Sequence, residues 1–409
     1  MKRFNVTGTC IGTEHYMVDI SGKLDEIEKL IEMKNYFTIN RARQYGKTTT
    51  LHHLEQRLNE KGEYICASIS FEGTGIKPFE SEEAFCKMFL GRMSEALLFS
   101  TAEDEYAEKW RNPEVSDIES LRRHITKMCK GKKVILMIDE VDKSSSNRIF
   151  LHFLGMLRAK YLLRQVSKDF TFHSVILAGV TDIKNLKLKM ITDGIYSPQK
   201  ENEGTANSPW NIAANFNVDM SFCADEISTM LRGYESDAKT GMDIFAIANE
   251  IHEYTNGYPF LVSRICQCIN EELNKNWTLD GVFHAVQVIL KEKSVLFDDM
   301  AKNLENYENL YDFMYELLIL GETKTFNVSV PVISIAHTFG YIKKANGSEK
   351  IAVYNRIFEA WLTNYFTSRD ENIQSKKRIH GVIYQDVIKN GIFDMAACLS
   401  KFAEHYKEI

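Results

Sequence analysis

The chain has 409 residues, with 50 Lys and Arg against 56 Asp and Glu, so its formal net charge is −6. Hydrophobic residues make up 44% and charged residues 26%, and the 22 Gly and 6 Pro are too few for a collagen-like or disordered chain. The mild acidity gives no electrostatic footprint of nucleic-acid binding. No run approaches the ~18 apolar residues of a membrane-spanning helix. At roughly 150 residues per domain, the length predicts about two to three domains.

The eight cysteines are scattered and none forms a Cys-x-x-Cys pair. Their spacing disfavours a zinc or disulfide framework and favours buried free thiols. The N-terminal sequence MKRFNVTGTC lacks the apolar core of a signal peptide. Together these features predict a protein of the reducing cytoplasm with no membrane segment.

The first part of the chain alternates strand-like and helix-like segments. Strand-like runs lie at 36–40, 64–71, 133–138 and 173–180, with a candidate fifth strand at 216–222. Helical patterns lie between them at 47–59, within 79–130 and at 147–166. Strands separated by helices predict βαβ units and a mainly parallel sheet.

The remainder is mostly helical. Residues 187–210 are rich in Gly, Ser, Asn and Pro, which predicts a surface loop. Two helical patterns at 310–320 and 330–338 precede a hairpin signal with an Asn-Gly turn at 346–347, which suggests a winged-helix module. The predicted organisation is an α/β core at 1–222, a helical domain at 223–298, a winged-helix-like module at 299–366 and a C-terminal helical tail at 367–409.

The sharpest motif is the run RARQYGKTT at 41–49, between a predicted strand and a predicted helix. In such a phosphate-binding loop, backbone N–H groups and the helix dipole attract an anion. Lys47 is the expected ligand of the β- and γ-phosphates, and the Thr48 hydroxyl the expected Mg²⁺ ligand. The candidate nucleotide-binding residues are Arg43, Gln44, Tyr45, Gly46, Lys47, Thr48 and Thr49. One departure is Arg41, which stands where the P-loop pattern has its first Gly.

A second motif lies about ninety residues further on, where an apolar strand ends in Asp139 and Glu140. In a P-loop enzyme the Asp at this strand tip binds Mg²⁺, and the next Glu orients and deprotonates the attacking water. A solvated acidic turn is the alternative interpretation of the pair taken alone. Both motifs occur in the right order, which predicts a P-loop NTPase, and Glu140 favours hydrolysis over binding alone.

A weaker element follows the fourth strand. Thr181 is a candidate catalytic side chain that senses the γ-phosphate, and a helix N-cap is the equal alternative. Glu72 is a candidate for contact with the attacking water or Mg²⁺. Arg158 or Arg164 could act as an arginine finger, although a solvated basic helix face is favoured.

A resemblance to a known family rests on longer fingerprints. The motif RARQYGKTTT at 41–50, HYMVD at 15–19, FEG at 71–73 and NSPWNIAA at 207–214 resemble a bacterial family of AAA-like ATPases. That family is related to the archaeal-type ATPases and to the STAND NTPases of signalling and defence. The resemblance implies an α/β P-loop NTPase fold, with an additional-strand parallel sheet and flanking helices, followed by a helical lid and a winged-helix module.

The resemblance also carries expectations about individual residues. It implies that Arg at position 43 is typical and that the missing first Gly at Arg41 is usual. The run TNGYP at 255–259 resembles a lid motif whose Pro, here Pro259, packs near the nucleotide; a helix break without a ligand role is the alternative. His15 and Tyr16 fall where relatives cover the base and ribose, with ordinary packing as the alternative.

The predicted function is a Mg²⁺-dependent ATPase that acts as a conformational switch controlling a partner, with ATP and Mg²⁺ as cofactors. Many relatives continue into a nuclease-like domain; this chain stops at Ile409 without the nuclease motif, so a protein effector or a separate nuclease-like chain is the expected partner. One alternative is a winged-helix nucleic-acid binder, which is not favoured because the second helix of the module is nearly devoid of Arg and Lys. Another is a nucleotide-binding scaffold without turnover, and a homo-oligomer stays open.

Overall fold

The computed structural model describes residues 2–100, 104–141, 147–180, 210 and 212–374, together with 388–389, 392–393, 395–396 and 399. Thr181 and almost all of the predicted loop at 187–210 lie outside the described residues. None of the helices in the described ranges has the length and apolarity that a bilayer crossing requires.

A parallel sheet forms the centre of the molecule. Its strands are β1 (Tyr36–Asn40), β2 (Ile65–Ser70), β3 (Val134–Asp139) and β4 (Ser174–Gly179), in the order β1-β4-β3-β2. β3 and β4 are buried along their whole length, as their continuous apolar sequences predict. β4 lies between β1 and β3, so the extra strand beside the P-loop strand is confirmed.

The candidate fifth strand at 216–222 does not form a ladder. Instead the backbone N–H of Ala214 donates to the carbonyl of Tyr36 at 2.8 Å, which makes one parallel bridge on the free edge of β1. Val218 and Met220 are buried, and the ring of Phe216 stacks near Phe37. The alternating apolar side chains that predicted a strand therefore pack as expected, but the backbone runs past the sheet edge as an extended connector.

Helices cover both faces of the sheet. They are α1 (Ser21–Glu32), α2 (Lys47–Glu60), α3 (Glu82–Ser100), α4 (Asp104–Lys109), α5 (Ile118–Cys129) and α6 (Arg148–Gln165). Successive side chains of each strand point to opposite faces, so the apolar residues of the sheet divide between two cores. One core lies under α3–α6, and the other joins α1 and α2 to the C-terminal half.

Four helices follow, which we call the lid after the predicted domain: α7 (Ala224–Ala238), α8 (Ile244–Thr255), α9 (Pro259–Glu271) and α10 (Leu279–Lys291). The break predicted between the helices at 257–259 is confirmed, because Asn256 and Gly257 adopt left-handed conformations and Pro259 occupies the first turn of α9. The helix thus stops and restarts beside the sheet.

The C-terminal module, defined here as residues 295–366, follows the lid. It contains α11 (Val295–Asn306), α12 (Glu308–Leu318), α13 (Pro331–Thr338), the hairpin strands β5 (Ile342–Lys344) and β6 (Ile351–Val353), and most of α14 (Arg356–Gln374). The predicted hairpin is therefore confirmed. Beyond it, Ile388–Lys389 pairs antiparallel with Ile392–Phe393, whereas the sequence predicted a helical tail. The Asn-Gly dipeptide at 390–391 is a strong hairpin signal that the helical interpretation overlooked.

Candidate functional site

A cleft of about 610 Å³ opens where the P-loop, the lid and the N-terminal segment meet. Residues 43–50 and residues 5–10 both line it. Glu72 and Glu140 reach it from the sheet, and Pro259 and Asp299 reach it from the C-terminal half. The cleft thus gathers residues that are distant in sequence around the helix N-terminus that the P-loop motif predicted.

Two left-handed residues shape the P-loop. Gln44 has φ of 55° and Gly46 has φ of 78°, and Gly46 is the N-cap of α2. A Cβ atom added at Gly46 would come no closer than 3.9 Å to Pro259. Glycine is therefore favoured at 46 mainly by its backbone conformation and by the open approach that it leaves to a ligand.

Lys47 is buried at the centre of the loop. Its Nζ donates to the carbonyl oxygens of Arg41 and Ala42, both at 2.9 Å. A buried ammonium needs such acceptors because desolvation is costly. The carbonyls hold the positive charge at the base of the loop, within reach of an anion seated on the N-terminus of α2.

Thr48, Asp139 and Glu140 form a connected group at the carboxyl ends of the strands. The Thr48 Oγ1 donates to Asp139 Oδ2 at 2.6 Å, and the Glu140 N–H donates to Asp139 Oδ1 at 2.9 Å. Glu140 adopts φ of 55°, which costs roughly 1–2 kcal/mol for a residue with a Cβ. This conformation turns the chain sharply after β3, and Glu140 lines the cleft.

Arg41, at the position of the missing glycine, has a structural explanation. Its Nη2 donates to the carbonyl of Val218 at 2.8 Å, and its guanidinium lies over the ring of Phe216 at 5.4 Å. Arg41 is not among the residues with positive φ, so the backbone at this position does not need glycine. The side chain ties the start of the P-loop to the connector.

The other P-loop side chains are held by distant parts of the chain. Arg43 Nη1 lies 3.1 Å from Asp299 Oδ2 in α11. Thr49 Oγ1 accepts from the Cys10 N–H at 3.2 Å. The side chain of Tyr45 is buried, which raises the pKa of its phenol, and its hydroxyl pairs with that of Tyr354 beside β6. No sequence pattern pointed to Asp299 or Tyr354 as partners of the P-loop.

The lid reaches the P-loop at two points. Pro259 lies near Gly46, 3.9 Å from where a Cβ on that glycine would stand, and the Tyr258 hydroxyl donates to the backbone carbonyl of Arg43. Pro259 therefore lines the cleft as the lid-motif interpretation expects, although it also ends the helix break.

Other predicted candidates lie away from the cleft or are already paired. His15 is buried, and its Nδ1 accepts from the Ile11 N–H at 2.9 Å. The Tyr16 hydroxyl donates to Asp237 at 3.0 Å, within an aromatic cluster, while one side of its ring borders the cleft. The guanidinium of Arg164 donates to three backbone carbonyls, which hold it at the other end of the sheet. Thr181 lies outside the described residues.

Comparison with known proteins now adds to this geometry. The family model described as "AAA-like domain" matches residues 15–358. The chain belongs to the AAA-like domain family. This membership agrees with the observed P-loop fold and with the strand–loop–helix and strand–carboxylate elements found in the cleft. A comparison with curated proteins finds no match.

A solved structure shares the fold of this AAA-like chain. A Walker-type ATPase of Pyrococcus abyssi aligns with a TM-score of 0.55 at 13% identity, over 88% of this chain and 99% of that one. The ORC2 protein of Aeropyrum pernix, solved as ADPNP–ADP complexes, aligns with a TM-score of 0.47 at 12% identity, over 87% and 96% of the two chains. At 13% identity the similarity to the Pyrococcus ATPase shows a shared fold.

Proposed function

We propose that this AAA-like chain binds ATP with Mg²⁺ in the cleft and hydrolyses it slowly as a conformational switch. The observation that carries the proposal is the connected group of Thr48, Asp139 and Glu140, with Lys47 in the adjacent loop. Those four side chains supply a phosphate-binding cation, a pair of oxygen ligands and a carboxylate base; Lys47, Thr48 and Glu140 line the cleft, and Asp139 is hydrogen-bonded to Thr48. ATP is proposed over GTP as the default, because no guanine-specific motif follows β4.

The residues present fit a magnesium ion. Mg²⁺ prefers hard oxygen ligands and usually takes few of them from the protein. The Thr48 hydroxyl and the Asp139 carboxylate meet at 2.6 Å, so both oxygens already face one point at the mouth of the P-loop. When bound there, Mg²⁺ would neutralise charge on the β- and γ-phosphates. In the proposed roles, Lys47 draws the phosphates onto the loop and Glu140 takes the proton of the attacking water.

The proposed nucleotide contacts extend along the loop. We assign Arg43, Gln44, Tyr45, Gly46 and Thr49 to phosphate and nucleotide binding, together with Pro259 from the lid. Tyr45 acts through the shape of the loop, because its hydroxyl faces Tyr354. Thr181 keeps its proposed role as γ-phosphate sensor, which rests on its place after β4 in the sequence.

The switch role follows from what contacts the P-loop. The lid and the C-terminal module, which we interpret as a winged helix, both hold P-loop residues directly. Occupation of the loop therefore alters contacts that reach the far end of the chain. We propose that a protein effector or a separate nuclease-like chain reads this change.

Two variants test the proposal. Lys47→Ala should abolish ATP binding and turnover together. Glu140→Gln should keep binding and lower hydrolysis by about 10²–10⁴-fold, as loss of a general base does. Equilibrium binding of a fluorescent ATP analogue and phosphate release are the measurements. Glu83→Gln, on the exposed face of α3, is the matched control and should resemble the parent. Hydrolysis at the parental rate by Glu140→Gln would show that the assigned base is wrong.

The nucleic-acid alternative finds little support in the module. The sequence of α13 is PVISIAHT, which contains no Arg or Lys. In the hairpin, Lys343 donates to Asn256 and Lys344 pairs with Glu349. Both charges are engaged within the protein, so the strongest functional proposal remains the nucleotide switch.

A further inference from the structure

We propose that the ion pair between Arg43 and Asp299 is a latch. It holds the C-terminal module on the P-loop until a nucleotide phosphate replaces Asp299 as the partner of Arg43. The inference rests on the proposed nucleotide binding and names the contact through which that binding is regulated. Arg43 belongs to the loop that would bind phosphate, and Asp299 belongs to α11 of the C-terminal module. Their side chains meet at 3.1 Å across the cleft that both residues line.

In this pair, Asp299 and a bound phosphate would compete for the Arg43 guanidinium. The Arg43 side chain is 61% exposed and that of Asp299 is 20% exposed. An arginine so exposed can turn toward another anion in the same cleft without breaking a core contact. Phosphate oxygens accept the planar guanidinium in the same two-pronged way as a carboxylate. A triphosphate also carries more negative charge than one carboxylate, so it is the stronger competitor.

Further contacts make the module sensitive to this one ion pair. A Cβ added at Gly340 would lie 3.0 Å from the Ala42 Cβ, so the module sits directly against the loop. The hydroxyls of Tyr45 and Tyr354 pair beside it. These contacts are short-range and geometry-dependent. They hold while α11 stays in place and weaken together when it shifts.

α11 is joined firmly to the rest of the module. The Tyr341 hydroxyl donates to the carbonyl of Met300 at 2.6 Å, and the rings of Phe297 and Trp361 stack at 4.9 Å. A displacement at Asp299 is therefore passed to the strand β5 and to α14. Loss of Arg43 also leaves the Asp299 carboxylate beside the incoming phosphates, and the like charges repel. Both effects shift the equilibrium toward a module released from the loop.

The size of the effect follows from the exposure of the pair. An exposed ion pair contributes about 0.2–1 kcal/mol, which corresponds to a change of up to about fivefold in an equilibrium constant. Removing Asp299 should therefore strengthen ATP binding by about two- to fivefold. The same substitution removes one contact between the module and the P-loop, so it should also loosen the module when no nucleotide is present.

The test compares Asp299→Asn with Asp298→Asn in the full chain. Both substitutions remove one negative charge from the same turn of α11, but Asp298 does not line the cleft. Hydrogen exchange of residues 295–366 is measured without nucleotide, and the affinity for a fluorescent ATP analogue is measured by titration. We expect Asp299→Asn to accelerate exchange and tighten binding, and Asp298→Asn to do neither. Tyr354→Phe, which removes the second tie and keeps the ring, should also accelerate exchange.

The two arms separate the latch from the function it rests on. Exchange rates and affinities of Asp299→Asn equal to those of Asp298→Asn would overturn the latch while ATP binding by the parent stands. If the parent protein binds no ATP, the nucleotide-driven release and the proposed function are both overturned, even where Asp299→Asn exchanges faster than the parent. The unfolding midpoint of Asp299→Asn is measured first, to show that the variant is folded before its exchange rates and affinity are compared.

Discussion

The junction between the connector and the lid depends on Gly257, and replacing this residue with alanine tests how tightly the two are packed. Gly257 has φ of 69°, and its carbonyl accepts from the Phe222 N–H at 2.9 Å. A Cβ added here would lie 2.0 Å from the carbonyl oxygen of Phe222 and 2.6 Å from its nitrogen. Both are backbone atoms, so no side-chain rotation can relieve the overlap.

The cost can be estimated from its parts. The left-handed conformation costs an alanine roughly 1–2 kcal/mol. Overpacking against backbone adds about 1–3 kcal/mol, and the hydrogen bond to Phe222 is lost or stretched. We expect Gly257→Ala to lower the free energy of unfolding by about 3–5 kcal/mol. Gly241→Ala is the matched control, because Gly241 has φ of 75° with no heavy atom within 4 Å of an added Cβ, and should cost only about 1–2 kcal/mol.

Urea unfolding followed by circular dichroism gives the difference between the two variants. Nucleotide affinity is a second measurement, because Pro259 lies two residues further along and lines the cleft together with Gly46. We expect Gly257→Ala to weaken ATP binding and Gly241→Ala to leave it unchanged. Equal losses of stability in the two variants, within about 0.5 kcal/mol, would refute the close approach on which this reasoning depends.

Two further predictions concern the site and its supporting helix. Thr48→Val should raise the Mg²⁺ concentration needed for half-maximal turnover by about tenfold or more, while Thr48→Ser should not; a Mg²⁺ titration of phosphate release decides it. Burial raises the pKa of Glu55 from 4.5 to about 7. Its contribution to stability is therefore complete below about pH 4.5 and is lost as the pH rises through 7. The urea midpoint of the parent should fall between pH 5 and 8, and Glu55→Gln should make that fall smaller. A fall of unchanged size in Glu55→Gln would contradict the prediction.

The parts of the fold that were predictable share a local cause. β3 and β4 have apolar sequences long enough for a strand and are buried on both faces, so their existence needed no knowledge of partners. The meeting of Thr48 with Asp139 was predictable for a related reason. Parallel strands bring their carboxyl ends to one edge of the sheet; Asp139 is the last residue of β3, and Thr48 follows β1 through a short loop.

The contacts that escaped prediction are those made over long distances by side chains of ordinary type. Asp299 lies in a helix pattern with several other carboxylates, and nothing in that pattern distinguishes it from Asp298. Arg41 departs from the P-loop pattern, and its hydrogen bond to Val218, which ties the loop to the connector, has no counterpart in the local sequence. The connector misled for the opposite reason, since its alternating apolar residues are buried without forming a ladder.

The way the P-loop is held bears on the kind of ATPase that we propose. Carbonyls of the loop engage Lys47, Asp299 engages Arg43, and Tyr258 holds the loop backbone from the lid. A nucleotide that binds here must replace the carbonyl contacts of Lys47 and the Asp299 contact of Arg43 with contacts to its phosphates. Part of its intrinsic binding free energy is then spent on rearranging the protein, which lowers the apparent affinity. In the proposed switch the same energy would move the C-terminal module, so a weakly bound nucleotide and a responsive module would be two consequences of one set of contacts.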